Sequence, residues 1–176
     1  VEVGAVRALV VYESAFGNTA EVARAVWEGV SQTVPDASLV EAGAAPAELP
    51  DDLELLVVGA PTHAFGMSRP GTRDDARRQG GDAPTVGVRE WLGSLARTGH
   101  PVHAATFDTR VDSPRLPGSA AAGARRALRR AGFDCAAATS FWVGGIKGPL
   151  RDGELDRARS WGATVTGPLT SSSARG

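Results

Sequence analysis

A single cysteine, Cys135, stands in 176 residues. An intrachain disulfide is excluded, and a reducing cytoplasm is the expected setting. Cys135 itself is expected to be a small apolar residue near a strand. No apolar run approaches the ~20 residues a membrane helix needs, so no membrane partner is expected. No secretory signal opens the chain, so Val1 is expected to be a mature or truncated start. Neither sign of charge is in surplus: 19 Lys and Arg face 20 Asp and Glu, for a net charge of −1. Bulk electrostatics therefore favours neither nucleic acid nor an anionic membrane. His63, His100 and His103 are scattered, and no Cys or His pair has ligand spacing, so no metal is expected. The hydrolase elbow G-x-S-x-G is missing. So are the triphosphate loop G-x-x-x-x-G-K-[ST] and the dinucleotide fingerprint G-x-G-x-x-G. Lysine, isoleucine and asparagine occur once each, at Lys147, Ile146 and Asn18, while Arg, Ala and Gly abound. Such a bias fits a GC-rich genome. Asn18 is then either a chance survivor in a turn or a residue with a specific task.

What is present has a regular order. Residues 8–12, ALVVY, and 54–60, ELLVVGA, are short continuous apolar runs, as strands buried on both faces are. Residues 37–42 form a weaker strand carrying a charge, suited to a sheet edge. Further strands are expected at 102–107 and 136–143. Val22, Ala23, Val26, Trp27 and Val30 recur at helical spacing after Thr19, and Pro35 ends that helix. Val88, Trp91, Leu92 and Leu95 trace another. Ala121, Ala124, Ala127, Leu128 and Ala131 face inward on the next, with Arg125, Arg126, Arg129 and Arg130 toward water. Leu155, Ala158, Trp161 and Val165 line the last, with Asp152 as its N-cap. A piece at 72–79 has helical composition but no apolar face. Alternation of this kind implies right-handed βαβ units and a parallel sheet covered on both faces. A single domain over 5–166 is expected, with a disordered tail at 167–176.

In such sheets ligands sit beyond the carboxyl ends of the strands. The loop Glu13 to Thr19 joins a buried strand to a helix N-terminus, where free N–H groups and the helix dipole favour an anion. Gly17 lets the backbone turn. Ser14, Asn18 and Thr19 add donors, so no cation is required. The plainer alternative is that these three only cap a helix.

Ser14-Ala15-Phe16-Gly17-Asn18-Thr19 resembles the phosphate loop of the flavodoxin family, [ST]-x-x-G-[NT]-T. The resemblance implies a three-layer, doubly wound α/β fold with a five-stranded parallel sheet of order 2-1-3-4-5. It also implies flavin mononucleotide, FMN, as cofactor. The second loop, Gly59-Ala60-Pro61-Thr62-His63-Ala64-Phe65-Gly66, is similar to the G-x-P-T-x-x-x-G type of flavodoxin-like quinone reductases. By that resemblance Pro61, Thr62 and His63 lie along the ribityl chain and ring, Phe65 stacks on the isoalloxazine, and Gly66 closes the loop. In the third loop, Asp108-Thr109-Arg110 offers backbone donors to the flavin's pyrimidine edge. Flavodoxins usually carry a stacking tyrosine there. The one tyrosine here is Tyr12, inside the first strand, which leaves the ring's outer face open or covered by Arg110. The charge also departs from the family's strongly acidic carriers, with arginines at 69, 73, 77, 78, 125, 126, 129 and 130 expected on solvated faces.

Residues 66–84, GMSRPGTRDDARRQGGDAP, exceed the usual loop length. Three roles stay open for them: covering the ring, binding a partner, or a homo-oligomer contact. Function also stays open among three classes. One is an FMN protein in electron transfer, with a redox partner protein or a small-molecule acceptor. The others are an NAD(P)H-dependent quinone or small-molecule reductase and a cofactor-free interaction module. A phosphorylation receiver is disfavoured, because Glu13-Ser14 and Gly59-Ala60-Pro61 occupy the places its acidic residues need.

Overall fold

Helices cover both faces of the first strand, β1 (Ala8–Tyr12), and this is why its sequence is one continuous apolar run. The computed structural model describes residues 7–63, 66–114 and 117–173. Leu9 and Val11 point into one core layer, Ala8 and Val10 into the other. The remaining strands are β2 (Ala37–Glu41), β3 (Leu55–Pro61), β4 (His103–Val111) and β5 (Asp134–Val143). All pair in parallel, in the order β2-β1-β3-β4-β5. This is the order the sequence predicts.

The helices in chain order are α1 (Asn18–Ser31), α2 (Pro70–Arg78), α3 (Val88–Ser94), α4 (Ala120–Arg130), α5 (Glu154–Thr164) and α6 (Gly167–Ser173). On one face α3 and α4 press Trp91, Leu92, Ala124 and Leu128 onto Leu56 and Val58. On the other, α1 and α5 press Val22, Val26 and Ala158 onto Val10, Val57 and Phe107. There Phe107, Phe141 and Trp161 meet edge to face, with centroids 6.0–6.1 Å apart. Gly59 leaves the Phe107 ring its place, since a Cβ there would lie 1.9 Å from Cζ.

Several expectations change. Asp108, Thr109 and Arg110 are strand residues, not loop, because β4 runs on to pair with Ser140, Phe141 and Trp142. A bulge opposite Ala104 and Ala105 skips Ala136 and sets that pairing. Between β2 and β3 the chain makes only a short 3-10 turn, Ala42–Ala44. The N-cap of α5 is Gly153 in a left-handed turn, φ 83°, with no side-chain cap from Asp152. Leu155 is 38% exposed, because α5 turns Glu154, Ala158 and Gly162 inward. The expected disordered tail gives way to α6 over 167–173, where Leu169 reaches the core. Arg126, Arg129 and Arg130 are exposed as expected and Arg125 is half-buried; Arg125 and Arg129 donate through Nε to the Cys135 carbonyl at 3.3 and 3.0 Å. Glu154 accepts from the Trp142 amide at 2.7 Å, and Arg157 donates to the Ser140 carbonyl. These charged side chains occupy the outer edge of β5 and keep it from pairing with another strand.

Helices α1 and α5 meet backbone to backbone. A Cβ on Gly162 would lie 2.2 Å from the Val26 carbonyl oxygen, and one on Gly29 would lie 2.0 Å from that of Arg159. Helix propensity favours alanine over glycine by up to ~1 kcal/mol. No rotamer change relieves a clash with a carbonyl, so overpacking wins. Gly162→Ala is expected to cost roughly 1–3 kcal/mol of stability, read as a lower urea midpoint at unchanged m-value. An unchanged midpoint would refute the close approach.

Candidate functional site

The corner after β1 is built around α1's first turn. Gly17 is the N-cap, with φ 92°, and a Cβ there would meet nothing within 4 Å. Glycine is needed for the turn's handedness, not for space. A helix start leaves about four N–H groups without helical partners. Ser14 Oγ accepts two of them, from Gly17 at 3.2 Å and Ala20 at 3.3 Å. Among the described residues the amides of Asn18 and Thr19 have no partner, which leaves them for an outside acceptor. Thr19 Oγ1 lies 2.7 Å from Thr109 Oγ1, tying the corner to β4. The Asn18 side chain packs on Gly148, where a Cβ would come within 2.5 Å of Oδ1. Ser14 therefore does cap the helix, and the corner still presents free donors.

Beside it opens a cleft of ≈ 320 Å³ at the strands' carboxyl ends, at the lower end of the range for small-molecule sites. Ala15, Phe16, Asn18 and Thr19 line one end; Pro61 ends β3 and is followed by Thr62 and His63, and Thr109 and Arg110 come from β4. The chain thus brings most of the residues singled out in the sequence around one space. Ser14, Gly17, Gly66 and Asp108 do not line it. Ala64 and Phe65 lie outside the described residues. The sequence reading missed Thr72, Asp75 and Ala76 of α2 with its C-cap Gln79, and Val111, Pro114, Val143 and Ile146 across the cleft. Ile146 is 68% exposed at the rim. The Arg110 guanidinium lies 5.8 Å from the centroid of the Trp142 ring.

Asp108 works beneath the site. It is wholly buried. Its Oδ2 accepts from Thr62 Oγ1 at 2.9 Å, Ser119 Oγ at 2.6 Å and the Ala121 amide at 3.1 Å. Thr62 Oγ1 also accepts from the Ala120 amide at 2.9 Å. A carboxylate at the start of α4 is favoured by the helix dipole. It fixes α4 to the ends of β3 and β4, and it commits the Thr62 hydroxyl to that scaffold.

A second buried carboxylate, Glu13, does the same for the other wall. Glu13 and Arg73 are each 2% exposed. Glu13 accepts from Ser68 Oγ through a short bond and from the Val88 amide at 2.8 Å. Arg73 donates to Ser68 Oγ at 2.8 Å, to the Thr85 carbonyl at 3.3 Å and to Glu90 Oε1 at 2.8 Å. A Cβ on Gly87 would lie 2.5 Å from Glu13 Oε2 and 2.6 Å from Arg73 Nη1, so only glycine admits the pair there. This corrects the expectation that Arg73 sits on a solvated face. The missed signal was a charged residue, Glu13, directly after a buried strand, together with a helix lacking an apolar face. Burial pushes the Glu90 carboxyl up, but Arg73's hydrogen bond and charge outweigh it and hold it below its usual range.

His63 lines the cleft with its Nε2 buried and without a hydrogen-bond partner among the described residues. Burial lowers its pKa below the usual value; the Glu13 charge pulls it up and the Arg73 charge pushes it down. Cys135 is buried too, and burial pushes its thiol up to about 11, leaving no thiolate nucleophile at neutral pH.

No family model matches the chain, and no curated protein matches it. Solved structures do. A flavodoxin from the domain Archaea aligns over 93% of this chain and 98% of its own, with a TM-score of 0.59 and 18% identity. Oxidised flavodoxin 2 from Bacillus cereus aligns over 93% and 99%, at 0.60 and 16%. Two-electron reduced flavodoxin from Megasphaera elsdenii aligns over 89% and 98%, at 0.55 and 15%. At these identities the likeness establishes the flavodoxin-like fold.

The lowered pKa of His63 makes stability depend on acid. The unfolded histidine takes up a proton first as pH falls through about 6.5. The folded protein, holding His63 neutral, resists. The stabilisation is therefore present above that pH and is lost as pH falls toward the lower folded value. His63→Gln is expected to flatten the drop in melting temperature between pH 7 and pH 5. An equal slope in both proteins would show that His63 titrates normally.

Proposed function

We propose that the cleft seats FMN and that the protein acts in electron transfer. One observation carries this reading: a single space joins a helix N-terminus, two of whose amides have no partner among the described residues, to a largely apolar slot between β3, β4 and the end of β5. The donor set suits a phosphate monoester, because neutral N–H and O–H groups converge on it with the helix dipole behind them. Phe16, Pro61, Val111, Pro114 and Val143 supply the flat, water-excluding surfaces that a conjugated ring needs. The residues fit the cofactor. Solved neighbours of the same fold are flavodoxins captured oxidised and two-electron reduced, which supports a redox role.

In this reading Asn18 and Thr19 hold the phosphate, and Pro61, Thr62 and Thr109 border the ribityl chain and ring. His63 is a neutral wall residue. Arg110 keeps a cation at the mouth of the slot. FMN, when bound, supplies the electron-accepting and electron-donating chemistry. The chain's own task is to orient it, to exclude water from one side and to leave the Ile146 edge exposed for electron exchange.

Purified apoprotein is expected to quench FMN fluorescence at micromolar concentration. Asn18→Asp puts a carboxylate beside the phosphate and should weaken FMN by roughly tenfold or more. Riboflavin, which lacks the phosphate, should bind both proteins alike. Equal FMN affinity in the two proteins would return the corner to helix capping alone. Anaerobic NADPH should leave the bound flavin oxidised unless a partner reductase is added; bleaching by NADPH alone would make the protein a reductase instead.

A further inference from the structure

The wall formed by α2 has almost no hydrophobic means of attachment. Its sequence, PGTRDDARR, offers Ala76 alone to a small cluster with Ala15, Ala83 and Phe16. Two of those three are residues of the phosphate corner itself. The segment that follows binds the corner again: the Asp82 amide donates to the Ala15 carbonyl at 2.7 Å, and Gly81 lies so close that a Cβ would come within 2.8 Å of the Phe16 ring. Arg77 donates to the Ala83 and Pro84 carbonyls at 2.9 and 2.8 Å, within the segment that follows, and the contact that reaches beyond that segment is made by Arg73. Its guanidinium reaches Ser68 Oγ, the Thr85 carbonyl and Glu90, with Glu13 accepting from the same serine. Glu13 is also the residue immediately before Ser14. One buried charge cluster therefore joins the corner, the chain leaving β3, α2 and the start of α3.

We propose that Arg73 is a positioning residue: its buried guanidinium fixes α2 against the phosphate corner and so sets the cleft wall made by Thr72, Asp75, Ala76 and Gln79. It touches no ligand. It acts through the helix it pins, and so links occupancy of the corner to the order of α2. The link to a ligand rests on the FMN reading; the pinning of α2 does not. Lysine is no substitute, because a single ammonium cannot span the three directions that the guanidinium fork covers.

The test has two parts. In ligand-free protein, Arg73→Met should speed hydrogen exchange of the α2 amides by about tenfold or more while the β1 and β3 amides keep their protection. Arg73→Lys should restore this only in part. Uniform change across α2 and the sheet, or none in α2, overturns the proposal. In the presence of FMN, the wild-type chain should be cut by trypsin more slowly after Arg77 and Arg78 but at an unchanged rate after Arg130. Arg73→Met should lose FMN affinity by about tenfold. If FMN binds and neither protection nor affinity responds, the proposed link is wrong. If wild-type protein does not bind FMN, the cofactor reading fails, and the exchange experiment alone decides the role of Arg73. Should Arg73→Met not fold, Glu90→Gln serves in its place. It removes the outer charge from a side chain that is 36% exposed, and it should give the same pattern at smaller amplitude.

Discussion

A carboxylate buried at the end of the first strand organises the upper half of this molecule. Glu13 leaves solvent where the chain passes from a central strand into a tight turn. Taking a charge out of water is costly unless it is hydrogen-bonded or paired. The chain meets that cost by drawing three separate segments to one point. Ser68 comes from beyond β3, Arg73 from α2 and the Val88 amide from α3. Gly87 leaves the space that the pair fills. The long connection between β3 and β4 is thereby folded back onto the turn that begins α1.

Asp108 repeats the device on the other side of the sheet's end. It gathers Thr62, Ser119 and the Ala121 amide of α4. Two buried carboxylates, one ending β1 and one within β4, thus hold the walls of the cleft from beneath. Their charges are spent on scaffold, while the surfaces that face the cleft are mostly apolar or neutral. A slot of that character suits a flat ligand carrying one charged end, with the charge received at a helix N-terminus.

This division explains what could be read from the sequence. β1, β3 and α1 were legible because burial on two faces, or on one stripe, writes a local pattern. The corner at 14–19 was legible because its chemistry is contiguous. The extent of β4 was not, since Asp108 to Arg110 become strand by pairing with the end of β3 and with a bulged β5. Leu155 was misplaced because the inward stripe of α5 is fixed by Gly162 lying on Val26, a contact between distant helices. Arg73 was invisible for the same reason. An arginine in a run of charged residues looks solvated until partners from elsewhere in the chain surround it. Expectations failed where a long-range contact decided the outcome, and those for β1, β3 and α1 held because apolar periodicity did.

In the proposed reading the corner receives an anion without a cation. A hydroxyl oxygen has two acceptor lone pairs and one proton. Ser14 Oγ uses both acceptors on Gly17 and Ala20, so its remaining capacity is to donate. Thr19 and Thr109 face each other oxygen to oxygen, so one gives its proton to the other and the pair keeps one proton to give elsewhere. The amides of Asn18 and Thr19 are donors by nature. The acceptor capacity of Ser14 is consumed inside the loop, and the backbone groups left unmatched among the described residues are donors. Capping and anion binding are thus not rival explanations of the same residues: it is by capping the helix that Ser14 becomes a pure donor.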